Sequence, residues 1–220
     1  MNPTEETYTE LQLAYDFFNR KLFNSQLPDC LLTLQRKNAK IYGYFSPNRF
    51  KDAHSVLADE LAMNPIHFHS RKVESVLSTL VHEQVHVWQQ HFGKPGRGKY
   101  HNKEWANKMK SIGLQPSKTG KPGGKETGDQ MTHYVIDGGL FQEYCNQLLR
   151  QGFILSWAED VKVTASEPGV DLNGDDVSLV EKKDKSNRLK YSCKKCKINA
   201  WGKPDLKIIC GNCRTEFVRS

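Results

Sequence analysis

The chain has 220 residues, a formal net charge of +7 and a hydrophobic content of 37%, which suits one ordinary domain with a small second unit. No segment approaches the roughly 20 consecutive apolar residues that a membrane-spanning helix needs, and the N-terminus, MNPTEE, is too polar and acidic for a secretory signal. We therefore expect a cytoplasmic protein without a membrane partner, which would be nucleoid-associated in a bacterium.

Positive charge is concentrated in two segments that an acidic stretch separates. Residues 94–125 contain nine Lys and Arg with one acid, and residues 187–220 contain nine with two acids. Residues 159–184 contain eight acids and three Lys. A basic segment is more often solvated surface than a binding site, but two of them favour an anionic partner, with nucleic acid the first candidate.

In chain order, the first predicted element is a helix that begins near Thr7. Thr7 and Glu10 have the spacing of a capping box, and apolar residues recur at helical spacing as far as Leu22. Asn24 and Pro28 should end this helix. Three short segments follow, which we interpret as strands over residues 31–36, 42–45 and 54–63.

The broadest apolar stripe lies in a second helix, which Ser70 can cap and which continues to Phe92. Residues 115–129 are rich in Pro, Gly, Lys and Thr, and we predict a loop there. Residues 159–187 are acidic and lack periodicity, so we predict a linker. The remaining predicted elements are a helix over 101–112 that Gly113 ends, a helix over 140–149 and a strand over 153–157.

The second helix contains the sequence His82-Glu83-Gln84-Val85-His86. Positions i and i+4 lie on one helix face, so the two imidazoles can bind one Zn²⁺ at about 2.0–2.1 Å. Glu83 lies beside them as a non-ligand that can take a proton from water. The alternative is a partly exposed surface helix with two unrelated histidines, and the apolar flanks of the motif argue against it.

A catalytic zinc ion needs a third protein ligand and an open position. His101 is the best candidate, because it follows His86 by 15 residues across a glycine-containing turn that could reverse the chain. His91 is second, because it points away from the face that carries His82 and His86. His133 is third, and it could instead approach the open side of the metal.

Four of the six cysteines form two Cys-x-x-Cys pairs near the C-terminus. In a reducing compartment such pairs hold metal, and their spacing indicates a closed Cys₄ zinc site whose metal supplies the folding energy of the unit. We therefore predict two Zn²⁺ ions per chain, one catalytic and one structural. The predicted ligands of the structural ion are Cys193, Cys196, Cys210 and Cys213.

Basic and aromatic residues are interleaved around these cysteines. Lys and Arg can neutralise phosphates and exposed rings can stack on bases, which is the combination that binds single-stranded DNA. The alternative is a structural ribbon that contacts protein and buries its aromatic residues. The predicted nucleic-acid contacts are Lys194, Lys195, Lys197, Trp201 and Arg214.

Residues 82–89, HEQVHVWQ, and residues 100–105, YHNKEW, resemble the SprT-like family, which includes Spartan. Residues 58–65 are similar to the strand that such proteins place before the active-site helix. A C-terminal zinc ribbon is also a common feature of the family. The resemblance covers residues 7–157 and 189–219.

The resemblance implies an α+β, zincin-like metalloprotease domain, with a small sheet and active-site helices, followed by a Cys₄ zinc ribbon. Combined with the acidic stretch, it predicts three regions. These are a SprT-like domain over 1–158, a linker over 159–187 and the ribbon over 188–220.

The same resemblance implies functional roles. The ligands of the catalytic zinc ion would be His82, His86 and His101, and the base would be Glu83. The substrates would be proteins bound on DNA or crosslinked to it. The segment 131–134 differs from the Spartan-like members of the family, so the resemblance implies no role for it.

Two other functions remain open from the sequence. A nucleic-acid-binding zinc protein with a non-proteolytic first metal site would have no use for Glu83, which this chain has. A zinc hydrolase that acts on a non-protein substrate would need the same residues as a protease.

Peptide hydrolysis also needs groups beyond the metal ligands. Tyr100, His133 or Tyr134 could support the oxyanion of the tetrahedral intermediate. A strand edge at 42–45 or 60–64 could bind the substrate backbone by pairing with it. Such binding does not depend on side chains, which suits a protease with many substrates.

Overall fold

The computed structural model describes residues 2–36, 40–160 and 189–219. The chain divides into two compact units, which we call the N-terminal unit (Met1–Val177) and the C-terminal unit (Ser178–Ser220). The boundary between them and almost all of the predicted linker over 159–187 lie outside the described residues, so the linker stays a prediction. Within the described part of the chain, none of the helices combines the length and apolar character that crossing a membrane requires.

Helix α1 extends over Pro3–Leu22 and starts earlier than predicted. Asn2 caps it, because its Oδ1 accepts the backbone N–H of Glu5 at 2.8 Å. Proline at the first helical position has a backbone angle that already suits the helix. The predicted capping box at Thr7 is wrong, because Thr7 lies inside α1 and its hydroxyl donates to the carbonyl of Pro3 at 2.7 Å.

A three-stranded sheet of the N-terminal unit has the order β1-β3-β2. Its strands are β1 (Cys30–Leu34), β2 (Gly43–Lys51) and β3 (Leu57–Met63). The central strand β3 runs parallel to β1 and antiparallel to β2. All three strands were predicted near these positions, and the sheet order makes β2 an edge strand.

The predicted end of this strand at residue 45 is wrong, because β2 continues to Lys51. The register shifts after Ser46, and the strand then continues to Lys51. Asn48 adopts a φ of 51°, and its N–H donates to Oδ1 of Asp59 at 2.7 Å. Pro47 is tolerated because it lies at an irregularity of an edge strand, where no ladder donor is needed.

Two helices replace the single helix predicted from Ser70. They are α2 (His67–Ser70) and α3 (Val73–Phe92). Lys72 is the N-cap residue of α3, and the hydroxyl of Ser70 instead donates to the carbonyl of Ile66 at 3.1 Å. Helix α3 packs against the sheet and against α1, so its middle turns are buried.

The chain then forms α4 (Lys103–Ser111), β4 (Leu114–Ser117), β5 (Thr132–Val135) and α5 (Leu140–Arg150). Strands β4 and β5 pair antiparallel, so the loop predicted over 115–129 is wrong at its start. Gly113 ends α4 as predicted. Its φ is +91°, and a Cβ there would lie 2.7 Å from the backbone nitrogen of Phe141.

The strand predicted over 153–157 is absent from the structure, which describes this whole segment as irregular. Side chains of α1 hold it instead of strand partners. The N–H of Ser156 donates to Oε2 of Glu10 at 2.8 Å, and Nε1 of Trp157 donates to Oε2 of Glu6 at 2.8 Å.

Helices α1, α3, α4 and α5 share one hydrophobic core with the sheet. Phe18 and Phe141 are both fully buried and stack with ring centroids 5.6 Å apart, which joins α1 to α5. Trp105 and Met109 of α4 have no exposed surface. This core holds α3 and α4 together, and these helices frame the histidine site.

The C-terminal unit is a small antiparallel sheet of order β7-β6-β8. Its strands are β6 (Leu189–Cys193), β7 (Asn199–Gly202) and β8 (Phe217–Arg219). Apolar side chains contribute little to its stability, since Ile198 is 49% exposed and Ile209 is 71% exposed.

Replacing Phe141 should test the core of the N-terminal unit. Phe141→Ala should lower the free energy of unfolding by about 3–5 kcal/mol, because the lost ring leaves a cavity. Urea unfolding followed by far-UV circular dichroism measures this. Leu140→Ala is the matched control, since Leu140 is 45% exposed and should change stability by less than about 0.5 kcal/mol. Equal losses in the two variants would contradict this description of the core.

Candidate metal centre

Three imidazoles converge in the N-terminal unit. Helix α3 carries His82 and His86 one turn apart, and His101 reaches them from the segment before α4. Nε2 of His86 lies 3.1 Å from Nε2 of His101, and one nitrogen from each of the three rings lies within 4.8 Å of the others. Ligands of a tetrahedral zinc ion are separated by about 3.3 Å at ordinary Zn–N distances, so this donor set fits zinc.

After α3 ends, a hydrogen-bonded turn brings the chain back towards this helix. Nε2 of Gln89 donates to Oδ1 of Asn102 and to Oε2 of Glu104, both at 2.8 Å. The N–H of Lys94 donates to the same Glu104 oxygen at 2.7 Å, which lowers the pKa of that carboxyl. A Cβ at Gly96 would lie 2.1 Å from the carbonyl oxygen of Tyr100. The turn therefore needs glycine, in agreement with the predicted reversal.

The ring of His101 is oriented by the backbone of Gly128. Nδ1 of His101 donates to the Gly128 carbonyl at 3.0 Å, and the two residues also exchange backbone hydrogen bonds of 2.9 and 3.1 Å. A proton on Nδ1 leaves the lone pair on Nε2, which points to His86. Ligating histidines are commonly oriented in this way by a second hydrogen bond.

Burial keeps the three imidazoles neutral. It lowers the pKa of His86 to about 3, with the neighbouring His101 adding to the effect. It also lowers the pKa of His82 and of His101. A neutral imidazole has a lone pair for a metal ion, so the desolvation that disfavours protonation favours metal binding.

Glu83 is buried beside the two histidines of α3, with 5% of its surface exposed. Burial raises its pKa to about 8, and a hydrogen bond from the backbone N–H of Phe45 in β2 partly opposes this. Strand β2 passes close to it, since a Cβ at Gly43 would lie 3.4 Å from Cγ of Glu83. The carboxyl is outside the group of candidate metal ligands among the described residues.

Trp105 forms a floor beneath the three imidazoles. Its ring centroid lies 4.9 Å from that of His82, 5.4 Å from that of His86 and 4.4 Å from that of His101. The indole is completely buried. The resemblance includes this aromatic residue, but its contact with all three rings has no signal in the sequence.

The second and third candidate ligands are outside the converging group among the described residues. Nε2 of His91 is bound to Oδ2 of Asp59 at 2.7 Å. His133 on β5 uses both ring nitrogens, because Nδ1 lies 3.1 Å from Nδ1 of His82 and Nε2 lies 2.9 Å from Oγ of Ser78. Both ring nitrogens of His133 therefore have partners, which leaves neither of them free to support the oxyanion in this conformation.

The four cysteine sulfurs of the C-terminal unit form a second candidate metal site. Atoms of Cys193, Cys196, Cys210 and Cys213 all lie within 4.8 Å of one another. The Cys196 and Cys210 sulfurs are 3.6 Å apart. The backbone N–H of Cys196 helps to lower the pKa of Cys193 to about 6, whereas the neighbouring thiols raise the pKa of Cys196 and of Cys213. The protein environment therefore favours a thiolate at Cys193, and the charge of a metal ion would favour the others.

Both Cys-x-x-Cys turns have the same backbone geometry. The residue after the second cysteine has a left-handed backbone, with φ of 63° at Lys197 and 50° at Arg214. Its N–H donates to the carbonyl of the first cysteine, at 3.0 Å in one turn and 2.7 Å in the other. Two equivalent turns thus present two thiols each to the same point.

The predicted nucleic-acid contacts all lie on the surface. Trp201 is 63% exposed, whereas Tyr191 is buried and its hydroxyl donates to the carbonyl of Lys203 at 2.7 Å. Tyr191 therefore cannot serve as a stacking ring in this conformation. The exposed basic residues are Lys194, Lys195, Lys197 and Arg214.

The sequence pattern of the SprT-like family matches residues 11–123, which is just over half of the chain. The chain belongs to the SprT-like family. This family is associated with zinc metallopeptidase activity, and the matched region includes all three histidines and Glu83. The match covers the second half of α1, the three-stranded sheet, α3 and α4, so the SprT-like family assignment rests on the elements that build the histidine site.

One curated relative is described as "Uncharacterized protein in mucB 3'region" from Salmonella typhimurium. It is 65% identical over 48 residues, which are 22% of this chain and 64% of that protein. The chain therefore spans slightly less than two thirds of the relative's length. No solved structure matches the chain.

Metal content should separate the two candidate sites. We expect about two zinc ions per chain from the ligand count, and about one in His101→Ala, because two histidines and water hold zinc weakly. Inductively coupled plasma mass spectrometry after dialysis measures this. His91→Ala is the matched control and should retain both ions, since its ring contacts Asp59. Unchanged zinc in His101→Ala would contradict the assignment.

Proposed function

We propose that this protein is a zinc metallopeptidase that cleaves proteins bound on DNA or crosslinked to it. His82, His86 and His101 would hold the catalytic ion. The observation that carries the proposal is the buried carboxyl of Glu83, which lies next to two candidate ligands without belonging to the ligand group. A purely structural metal site gives no reason to bury an acid there.

The reaction requires a base at the position of Glu83. When bound, zinc supplies Lewis acidity that activates water and polarises the peptide carbonyl. Glu83 accepts the proton of the attacking water on a carboxylate oxygen and returns it to the leaving amine. The Phe45 N–H restrains this carboxylate. Tyr100 and Tyr134 remain the candidates for oxyanion support.

The arrangement of elements supports a zincin-like domain. The motif helix α3 packs against the edge strand β2, and the third ligand precedes α4. The outer edge of β2 is suited to pairing with an extended substrate. Such pairing uses the hydrogen bonds of the substrate backbone and does not depend on its side chains. The alternative edge at 60–64 is wrong, because β3 is the central strand and pairs on both sides.

The C-terminal unit supports the DNA-related part of the proposal. Its cysteines fit a Cys₄ zinc ribbon, and the same unit has exposed Lys and Arg side chains and an exposed tryptophan. Phosphate neutralisation and base stacking are the two interactions by which proteins bind single-stranded nucleic acid. We propose that this unit brings the protease to DNA in the cytoplasm, at the nucleoid of a bacterial cell.

Replacing the proposed base should separate metal binding from catalysis. Glu83→Gln should retain zinc, and its rate of hydrolysis should fall by about 10²–10⁴-fold, because the glutamine amide cannot accept the proton. Cleavage of casein and of a DNA-bound protein, with and without single-stranded DNA, measures this.

Glu74→Gln is the matched control, since it removes the same charge from the first turn of α3. It should cleave like the wild type. Glu83→Gln cleaving at the wild-type rate would contradict the mechanism. A wild-type protein that binds DNA and zinc at the histidines but cleaves no protein would instead favour the non-proteolytic alternative.

Removing the exposed tryptophan should weaken DNA binding. Trp201→Ala should cost about 1–3 kcal/mol of binding free energy to a single-stranded oligonucleotide, because one stacked base loses its platform. Fluorescence anisotropy at several salt concentrations measures this, and wild-type affinity should fall steeply with salt. Trp157→Ala is the control, because its ring is 48% exposed on the N-terminal unit. Wild-type affinity that barely changes with salt would contradict the proposal.

A further inference from the structure

The orientation of His82 depends on a hydrogen-bond chain that starts one helical turn before it. The hydroxyl of Ser78 donates its only proton to the carbonyl of Ser75 at 3.0 Å. The Ser78 oxygen also lies 2.9 Å from Nε2 of His133. Because the hydroxyl proton is already used, this oxygen accepts the Nε2–H of His133.

The direction of this bond sets the next one. A neutral imidazole has one N–H and one lone pair, so a proton on Nε2 of His133 leaves its Nδ1 as an acceptor. That Nδ1 lies 3.1 Å from Nδ1 of His82. His82 must then carry its proton on Nδ1, which leaves the lone pair on Nε2. This is the nitrogen that remains for a metal ion.

We propose that His133 is a positioning residue that holds His82 in the tautomer competent to bind zinc. Ligating histidines usually donate their second N–H to a carboxylate, a carbonyl or water. His101 follows that pattern through the carbonyl of Gly128, whereas His82 uses another imidazole. The proposal rests on the proposed zinc site and is independent of the substrate.

Two observations separate this role from that of a fourth ligand. His133 is outside the group of rings whose nitrogens converge, among the residues that the structure describes. Both of its nitrogens are also engaged, one by His82 and one by Ser78. The strand pairing of β4 with β5 fixes its backbone, since His133 is in register with Pro116.

The affinity of the histidine site for metal tests the proposal in the full chain. His133→Ala should weaken this affinity by about 10–100-fold, measured by competition with a chelator. Co²⁺ distinguishes the two sites, because only the cysteine site gives intense thiolate-to-metal charge-transfer bands. Among loaded enzymes, kcat should fall in His133→Ala while KM changes little.

Two further variants separate orientation from packing. His133→Asn places an amide oxygen near the position of Nδ1, so it should recover most of the affinity. Ser78→Ala removes the group that sets the direction of the chain and should weaken affinity by a smaller factor. Thr132→Ala is the matched control, because it lies on the same strand but its side chain alternates to the opposite face.

The outcomes of this experiment are distinct. If wild-type protein binds no metal at the histidines, the proposed zinc site itself fails. If wild-type protein binds metal and His133→Ala binds it equally well, the positioning role is overturned while the site stands. Equal losses in His133→Ala and His133→Asn would also overturn it, since packing alone would then explain them. If His133→Ala does not fold, the metal affinities of Ser78→Ala and His133→Asn test the positioning role instead.

Discussion

The site depends on the convergence of imidazole lone pairs inside a buried part of the fold. The Nε2 atoms of His86 and His101 are 3.1 Å apart, and burial disfavours the proton that could lie between them. Two neutral lone pairs at this distance repel each other, whereas a cation placed between them is attracted to both. The packing of α3 and α4 in the core holds the imidazoles in this otherwise unfavourable arrangement.

The same reasoning applies to Glu83. A carboxylate in a desolvated site is unfavourable, which is why burial raises the pKa of Glu83 to about 8. The charge of a nearby dication would reverse this effect and favour the ionised form. The neutral ligands, the buried acid and the indole floor of Trp105 together fit a metal-binding site.

Much of the candidate site could be predicted because its signals are local. The spacing of His82 and His86 fixes a shared helix face, and the glycines before His101 indicate a reversal of the chain. The role of His133 could not be predicted, because it lies 51 residues from His82. Its strand pairs with β4, whose sequence is rich in turn-forming residues and suggested a loop. The order of the sheet likewise depends on long-range pairing, so edge and central strands could not be distinguished.

Anomalous diffraction at the zinc absorption edge, from crystals of the full chain, tests the central claim most directly. The account predicts a peak about 2.0–2.1 Å from Nε2 of His82, His86 and His101, with the Glu83 carboxylate not bound to it. It also predicts a second peak among the four cysteine sulfurs, which confirms that the crystals contain zinc. A cysteine peak without a histidine peak would contradict the account.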